Sequence, residues 1–139
     1  MKTIIRPTEP TPLARLLGIE KLGDFDQTLK TYVLTIASHP AALNFFGTTH
    51  GGYLAGVFDD AFGMLAYFIY GMNAATTIKQ CVVPRKMLRP SSENRLVFEI
   101  IQVNERQGVI YMKGVAKKGS VIVAEASSIW RLRKNRGEE

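Results

Sequence analysis

From Gly51 to Tyr70 the chain runs for about twenty residues with only two charges, Asp59 and Asp60. Tyr53, Leu54, Val57, Phe58, Ala61, Phe62, Met64, Leu65, Phe68 and Ile69 fall on every side of a helical axis. A helix that is apolar all round is normally wrapped by other structure. Its length approaches that of a membrane span, but four glycines, two aspartates and the lack of flanking basic clusters argue against one. The pattern therefore predicts a buried central helix from His50 to about Met72. A carboxylate in such a helix costs several kcal/mol if it stays ionised and unpaired. Asp59 and Asp60 are thus candidate functional groups. The plainer reading puts both on a wet face, and this helix has almost none.

Gly52, Ala55, Gly56, Asp59, Gly63 and Ala66 recur at spacings of three and four, which places them on one stripe. Small side chains there let another backbone come close, or leave Asp59 looking out through a slot. Asp60 is rotated about 100° away. The helix begins at His50-Gly51-Gly52. Helix starts expose unpaired N–H groups and the positive end of the dipole. Glycines there keep those donors accessible, as an oxyanion or anion pocket requires.

The rest of the chain reads as strands. Thr11 caps a short helix to Leu17, with Pro12 at its first position and Gly18 closing it. Ile19 to Leu22 and Gln27 to Ile36 read as strands about a Gly23-Asp24 turn. Four more strands are expected at Ala75–Leu88, Arg95–Arg106, Gly108–Lys117 and Val121–Arg133, with turns at Pro90–Asn94, Gln107-Gly108 and Lys118–Ser120. Pro84 calls for a bulge or a solvent-facing edge. The fold class is α+β: six strands, mostly antiparallel, around one long helix. Residues 1–139 make a single domain, with 1–10 and 134–139 read as flexible ends.

Apolar residues make up 46% and charged residues 22%, as in an ordinary globule. Cys81 is the lone cysteine, so no intrachain disulfide forms; it reads as a buried packing residue. His39, before Pro40, reads as a loop residue. The first residues lack a signal-peptide pattern, which makes the cytoplasm the expected location. The net charge of +6 includes Arg85, Lys86 and Arg89 and a C-terminal run from Arg131. No helix-turn-helix, paired Cys/His set or base-stacking pattern accompanies it. A substrate carrying several phosphates accounts for the charge without nucleic acid or a membrane. There is no constellation of metal ligands, and no cofactor is expected.

The spacing Asn44, Gly47, His50, Gly51, Gly52, Asp59 resembles that of the hotdog-fold acyl-CoA thioesterases of the phenylacetyl-CoA (PaaI-like) type. Leu13–Ile19 looks like that family's N-terminal helix entering its first strand. Thr76–Pro90, ending Met-Leu-Arg-Pro, looks like the strand after its central helix. The resemblance covers about Thr11 to Arg133. It implies hydrolysis of an acyl-CoA thioester, with the Gly51 or Gly52 N–H on the thioester carbonyl. His50, Asn44 and Gly47 would shape the loop. Asp59 would serve as general base or nucleophile. Gln80 stands where relatives often have Ser or Thr to hold the water or carboxylate; its amide both donates and accepts. Gly52, Gly47, Gln80, Asp60 and Arg89 complete the expected substrate contacts.

His50 and Asp59 are nine residues apart, about 13 Å along the axis and on opposite faces. One chain does not easily bring both to one site. A two-fold homodimer, paired further into a tetramer in some assemblies, would do so. Two rival classes are a non-catalytic acyl-CoA sensor and a hotdog hydratase or dehydratase. Tyr53, Phe58, Phe62 and Tyr67 are candidates for an acyl pocket as well as for core.

Overall fold

Phe58 and Phe62 are wholly buried, and Phe58 meets Phe98 edge to face at 4.9 Å between ring centres. Around them the computed structural model describes residues 5–37, 42, 48–49, 51–89 and 95–133. A short helix α1 (Pro12–Leu16) leads into strands β1 (Asp24–Asp26) and β2 (Thr31–Ala37). The long helix α2 (Gly51–Tyr70) follows, and then β3 (Ala75–Pro84), β4 (Arg95–Arg106), β5 (Val109–Lys118) and β6 (Val121–Leu132). The strands form one sheet in the order β1-β2-β4-β5-β6-β3, with every pairing antiparallel. The expected α+β architecture is the one found. β3 forms one edge of the sheet.

Local chemistry explains most of the elements. Thr11 Oγ1 accepts from the Ala14 N–H (3.1 Å) and caps α1, with Pro12 just inside. β4 and β5 are joined by Gln107-Gly108, with φ of 53° and 80°. Positive φ at both positions is what a type I′ hairpin requires. Leu96, Phe98, Ile100, Ile110, Met112 and Trp130 alternate inward toward the helix. Gly114 opens the sheet to α2, since a Cβ there would lie 2.5 Å from Ile100 Cδ1 and 3.1 Å from Phe58 Cε1. Truncating a buried phenylalanine in such a core costs about 3–5 kcal/mol.

Several expectations change. The first hairpin turns at Gln27–Lys30, not at Gly23-Asp24. Asp26 Oδ1 accepts from the Leu29 N–H (2.9 Å), and Lys30 adopts φ 53°. Gly23 serves a close approach instead. Its N–H donates to Tyr32 Oη (2.7 Å), and an added Cβ would collide with the Val33 carbonyl oxygen. Ile19 is buried but belongs to no strand. β3 stops at Pro84, on an edge strand, where the missing N–H costs the least. Cys81 is exposed on β3, not buried. Pro7 and Pro10 are buried, and the Arg6 guanidinium sits 4.9 Å from the Phe25 ring centre.

The glycines give a direct test. Gly23→Ala should cost about 1–3 kcal/mol, because backbone must move. At Gly51 an added Cβ meets nothing within 4 Å. Gly51→Ala should therefore be neutral or stabilising by up to about 1 kcal/mol. Urea midpoints of the two variants decide this, and equal costs would refute the assigned roles.

Candidate active site

Burial of Phe58, Phe62 and Leu65 fixes the rotation of α2 and leaves one stripe uncovered. Gly51, Gly52 and Asp59 are exposed, while Ala55, Gly56, Asp60, Gly63 and Tyr67 are half-buried. Among the described residues, the wrapping of the helix expected from its composition is incomplete. The open side is the small-residue stripe.

The segment around α1 covers one margin of that stripe. Tyr53 Oη donates to the Leu17 carbonyl (3.0 Å), and Leu17 packs over Gly56, where a Cβ would lie 3.3 Å from its Cδ1. One turn further, Thr11 Oγ1 donates to Asp60 Oδ1 (3.1 Å). Asp60 is thereby committed to docking α1. Burial raises its carboxyl pKa above the ordinary value and nearby Asp59 adds to the rise, while the Thr11 hydrogen bond opposes it.

Asp59 faces the other margin, the β3 edge. Thr77 Oγ1 donates to Asp59 Oδ1 (3.1 Å). Gln80 Nε2 donates to the Ala55 carbonyl one turn earlier (2.9 Å). Thr77 and Gln80 are three residues apart, so a regular strand would point them to opposite faces. A bulge between Thr77 and Lys79 resolves this. Thr77 pairs with Trp130 and Gln80 with Ser128, both inward positions, while Ile78 and Lys79 are exposed. The extra residue re-aims one side chain, a frequent use of bulges. Gln80 Oε1 is buried without a hydrogen-bond partner among the described residues.

Two cavities flank the stripe. One, of about 230 Å³, lies at the start of α2 between Thr49, Gly51, Leu54, Arg85, Lys86 and Leu88. The Thr49 N–H donates to the Leu88 carbonyl (2.6 Å) and closes this end. The Arg85 guanidinium is held by Glu125 (2.6 and 2.8 Å), and Lys86 brings a second cation to the lining. The other, of about 260 Å³, opens beside Asp59 and Asp60 and is lined by Gly63, Tyr67, Asn73 and Trp130. A larger concavity of about 580 Å³ lies among Val33, Cys81, Glu99, Lys113 and Ser127, and none of the candidate site residues line it. From Gly51 to Asp59 is eight residues, about 12 Å along the helix.

Asp59 and Asp60 thus line one cavity, Gln80 stands outside that lining at the Ala55 carbonyl one turn earlier, and Gly51 and Gly52 lie about two turns from Asp59 on the same helix. Arg89 is exposed beyond the first cavity's lining, where Arg85 and Lys86 sit instead. Asn44, Gly47 and His50 lie outside the described residues, as do His39 and the Pro90–Asn94 turn. Of the four aromatic pocket candidates, Tyr53, Phe58 and Phe62 are core, and Tyr67 lines the cavity beside Asp59. Thr77 was not singled out by sequence. The contact to the Asp59 carboxylate is made by the Thr77 hydroxyl, while the Gln80 amide donates to the Ala55 carbonyl. Among the described residues, no three His, Cys, Asp or Glu side chains could hold a metal ion, and no helix is long and apolar enough to cross a membrane.

The raised pKa of Asp60 has a stability consequence. Between its unfolded and folded pKa values the folded state binds more protons, so stability falls as pH rises through that window. Asp60→Asn keeps an acceptor for Thr11 and removes the buried charge. The variant should unfold at higher urea than wild type at pH 7, and the gap should close on acidification through the ordinary aspartate range. No gain at pH 7 would contradict the assigned environment.

No family model matches this sequence, and no curated protein matches it. Solved structures do. The phenylacetic acid degradation protein PaaI from Thermus thermophilus, in a mutant form, superposes with a TM-score of 0.76 at 20% identity, covering 88% of this chain and 100% of that one. A putative thioesterase related to phenylacetic acid degradation, from Ralstonia eutropha, gives 0.78 at 20% identity, covering 88% and 92%. A hypothetical thioesterase from Streptococcus pneumoniae, solved with coenzyme A, gives 0.70 at 20% identity, covering 85% and 86%. One long helix against a six-stranded antiparallel sheet in this order is the hotdog fold, and the chain shares it with these PaaI-like structures.

Proposed function

We propose that the protein is an acyl-CoA thioesterase whose site forms between two copies of the chain. The observation that carries this reading is the placement of Asp59. It stands on the uncovered stripe of α2, held by Thr77 at the free edge of β3. The glycine-lined helix start lies about 12 Å away on the same chain. A ten-residue edge strand with exposed Ile78 and Val83 is a ready template for pairing. Joining two copies along β3 about a two-fold axis would set Asp59 of one against the helix start of the other. The fold likeness adds weight, as does the coenzyme A bound by the Streptococcus pneumoniae neighbour. Pairing of such dimers into a tetramer is compatible with this arrangement. A reducing, cytoplasmic location suits the exposed Cys81 thiol.

In this reading the thioester carbonyl accepts from the Gly51 or Gly52 N–H at the helix start, where the dipole favours the developing oxyanion. Asn44, Gly47 and His50 shape the approach. Lys86 and Arg89 supply charge for the phosphates of coenzyme A. Asp59 takes a proton from water as the water oxygen bonds to the carbonyl carbon. The tetrahedral intermediate then collapses, the C–S bond breaks, and the thiolate leaves and is protonated. In the alternative route the carboxylate itself attacks, giving a mixed anhydride that water cleaves. Thr77 orients the carboxylate in both routes.

The test is release of free thiol from short, medium, long and aryl acyl-CoAs. Asp59→Asn should lower turnover by about 10²–10⁴-fold with the fold intact, as loss of a general base does. Asp60→Asn should lose much less. Tight binding of these thioesters without turnover would favour the sensor class, and a larger loss at Asp60 would overturn the assignment to Asp59.

A further inference from the structure

The cavity beside Asp59 is separate from the one at the helix start. Trp130 packs directly on Gly63 in its wall; a Cβ on Gly63 would lie 3.1 Å from Trp130 Cη2. The indole is 7% exposed and donates from Nε1 to Ser128 Oγ (2.6 Å), so the ring is held in place. Met64, Ala66 and Tyr67 add apolar surface, and Asp60 stands in the lining with Asp59. We propose that this cavity receives the acyl group of the substrate, and that it admits uncharged chains of short to medium length while Asp60 excludes acyl groups ending in a second carboxylate.

The inference rests on the thioesterase reading, because it needs the thioester carbonyl at Asp59. A thioester carbonyl held there has one of its two substituents facing this space, and the acyl group suits it better than the coenzyme, because the cations suited to phosphates line the other cavity. The volume of about 260 Å³ is less than twice the ~150 Å³ of a cavity that takes benzene. Chains of roughly four to eight carbons fit by that comparison. The charge argument is independent of size. Burial already penalises charge at Asp60. A second anion entering beside Asp59 and Asp60 would bear the same penalty and their repulsion, with no cation among the described lining residues to offset it.

Two ratios of kcat/KM test this: octanoyl-CoA over acetyl-CoA for size, and glutaryl-CoA over hexanoyl-CoA for charge. Wild type should prefer hexanoyl-CoA strongly over glutaryl-CoA. Gly63→Ala places a methyl group against Trp130 while favouring the helix. It should cut the size ratio about tenfold or more, the effect of one methylene in a shaped pocket. Tyr67→Ala should raise that ratio. Asp60→Asn should raise the charge ratio roughly tenfold or more. If wild type cleaves acyl-CoAs but neither Gly63→Ala nor Tyr67→Ala moves the size ratio, the acyl group lies elsewhere. If glutaryl-CoA is cleaved as well as hexanoyl-CoA, or Asp60→Asn leaves the charge ratio unchanged, the role of Asp60 is wrong. If wild type cleaves no acyl-CoA at all, the thioesterase reading itself fails and this inference with it.

Discussion

Everything else in the structure depends on how α2 is rotated against the sheet. Phe58 and Phe62 are fully buried, and Phe58 packs into the space that Gly114 leaves open on β5. With Phe58 inward, Asp59 is turned about 100° to the β3 margin and Asp60 a further 100° to the α1 margin. The two carboxylates are adjacent in sequence but serve different neighbours. Thr11 and α1 occupy Asp60, and Thr77 holds Asp59 beside an edge with no strand outside it among the described residues. Each buried aromatic contributes about 2–3 kcal/mol to holding this rotation, which no single surface hydrogen bond approaches.

Much of this was legible in the sequence because it is local or periodic. The apolar run fixed α2 to within two residues at its C-terminal end, where Gly71 at φ 104° closes it. Thr11-Pro12 gave the cap of α1. Gln107-Gly108 gave a hairpin whose two strands were placed to within a residue. The stripe of Gly52, Ala55, Gly56, Asp59 and Gly63 was visible from spacing alone. Both of its readings hold: Leu17 and Trp130 come close to Gly56 and Gly63, and Asp59 is left exposed between them.

What sequence did not show depends on pairing. The bulge after Thr77 has no local signature, yet it decides which of Thr77, Ile78, Lys79 and Gln80 face the helix. A one-residue slip exchanges the two faces of a strand. Residue types alone therefore do not single out Thr77 as the side chain that reaches Asp59. Cys81 looked like core because its neighbours are apolar, but it sits on the outer side of an edge strand. Gly23 looked like a turn glycine, and it is small because the Val33 carbonyl and Tyr32 ring press on it from the partner strand.

The central claim is that one site draws its oxyanion donors from one chain and its carboxylate from another. A mixed dimer tests it most directly. One parent carries Asp59→Asn. The other carries Gly51→Pro, which removes the N–H donor at a position where proline is tolerated in a helix. Both must first be shown to fold and to dimerise. After re-association, one site of each mixed dimer would hold both lesions and the other none, so activity should return to up to about half of wild type per mixed dimer. Two folded, dimer-competent parents that regain nothing on mixing would place the whole site within a single chain.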